Sequence, residues 1–349
     1  MANNFVAYVG CYNNGADDGI NIFDMDIKKG RITKRKGVKI NNSSYITFSH
    51  SQKYLYSICD TGVASFAIAP DGDLEPINIS SINGMRGCHL TVTNDDRFII
   101  VSGYHDGKIT VLRLNEDGSV GNIVDEVFHK GLGSIAERNF RPHVNWSVFT
   151  PDNELLCVCD LGIDQIKVYE FNHDTGKLKL YDIIRTQLES APRQMHFSPD
   201  GKFAYVVCEL KNYINVYSYD KNSDKARFEM IQNIFTVRRD HKSNSAASDI
   251  IFANDGNNLI CSNAGDNTAT IYSVDKESGK IITLNSLPVS GDYPKYVCMF
   301  PDNKHLMSMN NEGNSITIFT VDYNKGLIVM NGKELKISRP NNMVIKKLS

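Results

Sequence analysis

Apolar and polar residues alternate along this chain in short blocks, and the blocks recur. Five segments share one pattern: Ser49–Asp60, Thr93–Tyr104, Ser198–Glu209, Ala253–Ala264 and Phe300–Asn311. A sixth, Thr150–Asp160, is one residue shorter. Each opens on a turn signal, such as Pro199-Asp200-Gly201 or Pro301-Asp302-Asn303, and runs into an apolar stretch. That order predicts a hairpin turn feeding a buried strand. A second alternating run follows at Ile109–Leu112, Ile166–Tyr169, Ile214–Tyr217, Thr270–Tyr272 and Ile316–Phe319. Next come glycine turns (Gly118, Gly176, Gly279, Gly326) and a more polar strand.

The unit is therefore four antiparallel strands, lettered A to D, with A just ahead of the Pro-Asp turn. Its period is about 50 residues, the signature of a propeller blade. Phe5–Tyr12 reads as a strand B with no strand A before it, and Arg339–Lys346 as a strand A with nothing after it. Joining the two closes a ring of seven blades with no free inner edge. The fold expected is all-β, a seven-bladed β-propeller forming a single domain over residues 1–349. A (β/α)₈ barrel is set aside because no helical periodicity separates the strands.

Charge narrows the function. Lys and Arg number 38 against 40 Asp and Glu, a net charge of −2, without the basic excess of a nucleic-acid binder. The mean hydropathy is −0.30, and no apolar run approaches the roughly 18 residues of a membrane helix. No secretory signal is read at the N-terminus, so a cytoplasmic location is expected. The eight cysteines lie partly inside apolar runs, as at Cys157, Cys159 and Cys208, and read as buried reduced thiols. Neither a metal-ligand spacing, a phosphate-binding glycine loop nor a serine nucleophile elbow is present, so no cofactor and no metal are expected. Gly131-Leu132-Gly133 lacks the strand–turn–helix setting of a dinucleotide site, and the basic cluster at 238–242 reads as a solvated loop.

In such a ring the start of strand A and the end of strand B share one rim, where sites are expected. The starts of A carry Arg86, His89, Arg141, His143, Arg193, Lys295 and Arg339; the ends of B carry Asp60, Tyr104, Asp160, Glu209, Ala264 and Asn311. Cations interspersed with acids suit a small anionic molecule that also needs proton transfer. Paired structural charges would look the same in sequence.

At these residues the chain resembles the seven-bladed β-propeller lactonase family of the 6-phosphogluconolactonase type, and more distantly the carboxymuconate-lactonizing enzyme. The likeness spans almost the whole chain and is most specific from Pro192 to Leu210; it includes Tyr8–Tyr12, Arg141-Pro142-His143 and Asn314–Phe319. The resemblance implies hydrolysis of a sugar-acid lactone, with Glu209, His143 and Arg193 catalytic. Lys295, His89, Asp160, Asn145 and Asp249 are expected to bind substrate. Asn145 stands where the family has a second histidine, and Ala264 where it has an arginine. A lactone-forming cycloisomerase of the carboxymuconate type is one alternative, and the two departures add a non-catalytic ligand-binding propeller as another. The expected partner is a small anionic lactone, with neither nucleic acid nor membrane, and a monomer or dimer.

Overall fold

The computed structural model describes residues 5–13, 15, 17–135, 138–223, 227–238, 241 and 244–348. Among them there are seven antiparallel sheets and no helix; six sheets have four strands and the seventh gains a short fifth, Leu335–Lys336. The chain is thus a seven-bladed propeller. The expected B-to-D order holds in every blade, and the innermost strands contact one another in sequence around the axis.

The recurring turn has a local cause. In Thr93, Thr150 and Ser198 the hydroxyl donates to the carboxylate two residues on, at 2.6 Å each, and accepts the N–H that begins strand B. The chain must then pass through a left-handed residue, and that position holds Gly201 (φ +74°), Asn153 (φ 62°), Asn303 (φ 58°) or Asp96 (φ 56°). Glycine, asparagine and aspartate are the residues that tolerate this conformation. The Pro-Asp-Gly signal in the sequence is this geometry.

Strand B is buried on both faces, which explains its unbroken apolar runs. In Leu155–Asp160, Leu155, Cys157 and Cys159 pack with Met195, Val206 and Cys208 of the next blade, while Leu156 and Val158 pack with Ile100 and Val111 of the preceding one. All eight cysteines are unbonded, six of them buried.

The ring closes as expected: Pro340–Lys347 pairs antiparallel with Phe5–Cys11 as the innermost strand of blade one. The closing blade is tied onward by Asn342. Its side-chain amide accepts the Ile46 N–H (3.0 Å) and donates to the Ile46 carbonyl (2.9 Å) of blade two. Replacing a buried amide that satisfies two main-chain groups costs about 2–4 kcal/mol. Asn342→Ala is therefore expected to lower the thermal midpoint by roughly 3–5 °C, measured by calorimetry. A change within about 1 °C would show that closure rests on the strand pairing alone.

Candidate active site

The site begins with an irregularity in the innermost strands. Each of blades four to seven, and blade one, carries one surplus residue there: Asn145, Arg193, Ser248, Lys295 and Asn341. A bulge of this kind unpairs the residue and re-aims its side chain. Here the freed side chains form a belt around the axis. Asn145 Nδ2 donates to the Arg193 carbonyl (3.0 Å), Arg193 Nε to that of Ser248 (2.8 Å), and Ser248 Oγ to that of Lys295 (3.0 Å). Lys295 Nζ donates to Asn341 Oδ1 at 2.8 Å. Cys88 of blade three extends the series, with Sγ 3.4 Å from the Asn145 carbonyl.

The belt encircles a cavity of about 460 Å³ at the rim. Four cations line it (Arg86, Arg138, Arg193 and Lys295) against two carboxylates, Glu209 and Glu312. Tyr12, Tyr104 and Tyr293 complete the wall, and Tyr45, Trp146 and Tyr296 also line it. These last three meet edge to face, with Tyr45 centred 5.8 Å from Trp146 and 6.5 Å from Tyr296.

Glu209 follows directly on strand Phe203–Cys208 and is only 2% exposed in its side chain. Arg193 Nη1 donates to Oε2 and Arg138 Nη1 to Oε1, the latter at 3.1 Å. Burial pushes the Glu209 pKa up, but the Arg193 and Arg138 guanidinium groups outweigh it and hold the carboxyl below its usual range. The carboxylate is therefore ionised at neutral pH. Lys295 lies 4.8 Å from the centre of the Tyr12 ring, as does the Arg86 guanidinium. Burial, followed by repulsion from Arg193, brings the Lys295 ammonium down to about 7.

The structure gathers Glu209, Arg193, Lys295 and Asn145 on this cavity. It leaves the other four expected residues behind the wall. His143 stacks on Tyr104 (4.3 Å between rings) and its Nδ1 meets the Tyr104 carbonyl at 2.8 Å, so Tyr104 stands between it and the cavity. Asp160 is fully buried: one oxygen accepts the N–H groups of His143 and Gly162, and the other meets His129 Nδ1 at 2.7 Å. His89 is stacked on Trp146 at 3.6 Å, and burial lowers its pKa well below 6.5, so it is neutral. Asp249 is buried and accepts the Val297 N–H at 2.9 Å; burial brings its pKa up to about 7.

Of the other rim cations, Arg141 is turned to the His105 carbonyl (2.7 Å), and neither it nor Arg339 lines the cavity. Ala264 is buried and adds no group to the lining. The basic cluster at 238–242 falls largely outside the described residues. Sequence reasoning missed Arg138, Tyr293 and Asn341. Asn341 was findable, because Pro340-Asn341 occupies the register of Pro192-Arg193 and Pro294-Lys295. Arg138 was not, since it comes from a connecting loop outside the repeat.

Comparison with known proteins agrees with this architecture. The family described as "Lactonase, 7-bladed beta-propeller" matches residues 6–345. The 6-phosphogluconolactonase of Bacillus subtilis is 29% identical, over 96% of this chain and 97% of its own length. The 6-phosphogluconolactonase of Formosa agariphila is 28% identical, over 92% and 93% respectively. Among solved structures, the periplasmic gluconolactonase PpgL of Pseudomonas aeruginosa superposes with a TM-score of 0.93 at 23% identity, covering 99% of both chains.

The lowered pKa of Lys295 sets a pH dependence. Below about 7 the ammonium is charged and attracts an anion; above it the charge is lost. Binding of 6-phosphogluconate, followed by titration calorimetry, is expected to weaken by about three- to tenfold from about pH 7 to pH 9. Lys295→Met is expected to bind more weakly at the lower pH and to lose most of that slope. A variant that kept the full slope would assign the titration to another group.

Proposed function

Because the chain belongs to the seven-bladed β-propeller lactonase family, we propose that it hydrolyses the cyclic ester of a sugar acid, using Glu209 as the base. The observation that carries this reading is a buried, ionised carboxylate held by two arginines in a cavity whose cations outnumber its carboxylates. Ester hydrolysis needs a base for the attacking water and a positive group for the oxyanion. Glu209 takes the proton from water as its oxygen attacks the lactone carbonyl. Arg193, fixed through Nε to the Ser248 carbonyl, stabilises the negative charge that develops on the carbonyl oxygen. Collapse of the tetrahedral intermediate breaks the ring C–O bond, and Glu209 returns its proton to the departing alkoxide. The product is the open-chain hydroxy acid.

Lys295 and Arg86 supply positive potential on the Tyr12 side of the cavity. This favours lactones carrying an anionic substituent. His143 has no place in the proton path, because Tyr104 separates it from the cavity.

Glu209→Gln is expected to lower kcat for glucono-1,5-lactone or its 6-phosphate by about a hundred- to ten-thousand-fold, the range of a lost general base. His143→Gln should cost less than about tenfold in the same pH-stat assay. Equal losses in the two variants would move the base away from Glu209. Ring opening without uptake of solvent oxygen, read by mass spectrometry in ¹⁸O-water, would replace hydrolysis with a lyase reaction.

A further inference from the structure

Arg138 differs from the other cations of the cavity. Arg193 and Lys295 stand at the starts of innermost strands and Arg86 three residues before one, His89–Val92, and Arg193 is fixed at two points, on Glu209 and on the Ser248 carbonyl. Arg138 comes instead from the connection between Val120–Phe128 and Val144–Phe149, is 50% exposed in its side chain, and donates one N–H to Glu209. A guanidinium has five N–H groups in a planar fork. Arg138 also hydrogen-bonds the Tyr293 side chain, and the N–H groups of its fork beyond these two contacts are left at the cavity it lines.

This arrangement has a cost for the base. With both oxygens of Glu209 bonded to arginines, the carboxylate is stable as an anion and a poor acceptor of a proton from water. One of the two contacts has to loosen for efficient catalysis, and Arg193 is the better anchored. We propose that Arg138 is an exchangeable clamp: it caps Glu209 in the resting enzyme and transfers to the anionic substituent, phosphate or carboxylate, of an incoming lactone, releasing Oε1 as the substrate arrives. The proposal rests on the lactonase reading of the same site. It makes Arg138 a specificity-determining residue that couples recognition of charge to activation of the base. The exchange involves no covalent change, only a swap of hydrogen-bond acceptors by one guanidinium.

The test compares three lactones, neutral glucono-1,5-lactone, its 6-phosphate, and the carboxylate-bearing glucarolactone, with wild type, Arg138→Gln and Arg138→Lys. In Arg138→Gln the ratio of kcat/KM for the charged lactones over the neutral one is expected to fall by about tenfold or more. A drop with only one charged lactone identifies the substituent that Arg138 takes. Removing a cation from Glu209 raises its pKa, so the acid limb of the neutral-lactone profile should move to higher pH. Arg138→Lys should restore part of the ratio. A purely structural brace would depress all three lactones alike, and an unchanged ratio would overturn the proposal. Calorimetry with the open-chain 6-phosphogluconate separates this result from the lactonase reading. If wild type hydrolyses none of the lactones yet binds this acid, and Arg138→Gln weakens that binding about tenfold, the anion contact stands although the reaction does not. If the binding is equal in both, the anion contact falls.

Discussion

One surplus residue in each of five innermost strands organises the mouth of this molecule. A regular strand would send alternate side chains into the two neighbouring blades, where apolar packing would bury them. The bulge frees a single position per blade, and the ring brings those positions together around the axis. Three of the freed side chains, Asn145, Arg193 and Ser248, bond the main chain of the next blade, and Lys295 bonds the next freed side chain. The belt that holds the sheets in register thus shares Asn145, Arg193, Lys295 and Asn341 with the cavity wall. Fold and site share a single set of contacts, which explains how a rim made from many separate segments can hold Arg193 so firmly.

The electrostatics follow from that framework. A carboxylate as buried as Glu209 is tolerated because its charge is met by guanidinium groups. Burial disfavours a charged ammonium, and the neighbouring arginines add repulsion, so both fall on the cation with the most labile proton. That cation is Lys295, whose charge becomes adjustable near neutrality. Arginine could not serve there in the same way, since it stays protonated throughout.

Much of this architecture was legible in the amino-acid order. The turn with its left-handed residue, the doubly buried strand B and the split blade one each left a local signature, and the repeat multiplied it. Arg193 and Glu209 could be read because register places them on one rim. The limits were equally physical. His143, Asp160 and His89 are close to that rim in sequence, but one residue of displacement along a strand turns a side chain from the axis into a wall. They spend their polar groups on Tyr104, His129 and the Ser147 N–H. Arg138 lies outside the repeat, and only the three-dimensional path of its loop brings it to Glu209.

The divided blade also constrains how the protein is made. Asn342 of the closing strand reaches Ile46 of blade two, 296 positions earlier in the chain. At a synthesis rate of about 5–20 residues per second, the early half of the divided blade waits on the order of 15–60 s for its partner. During that interval the inner edge of Phe5–Cys11 is an unpaired β-edge, open to adhesion with other nascent chains. Six sheets can assemble as they emerge, but the cavity acquires Asn341, the final member of its belt, only when the last strand docks.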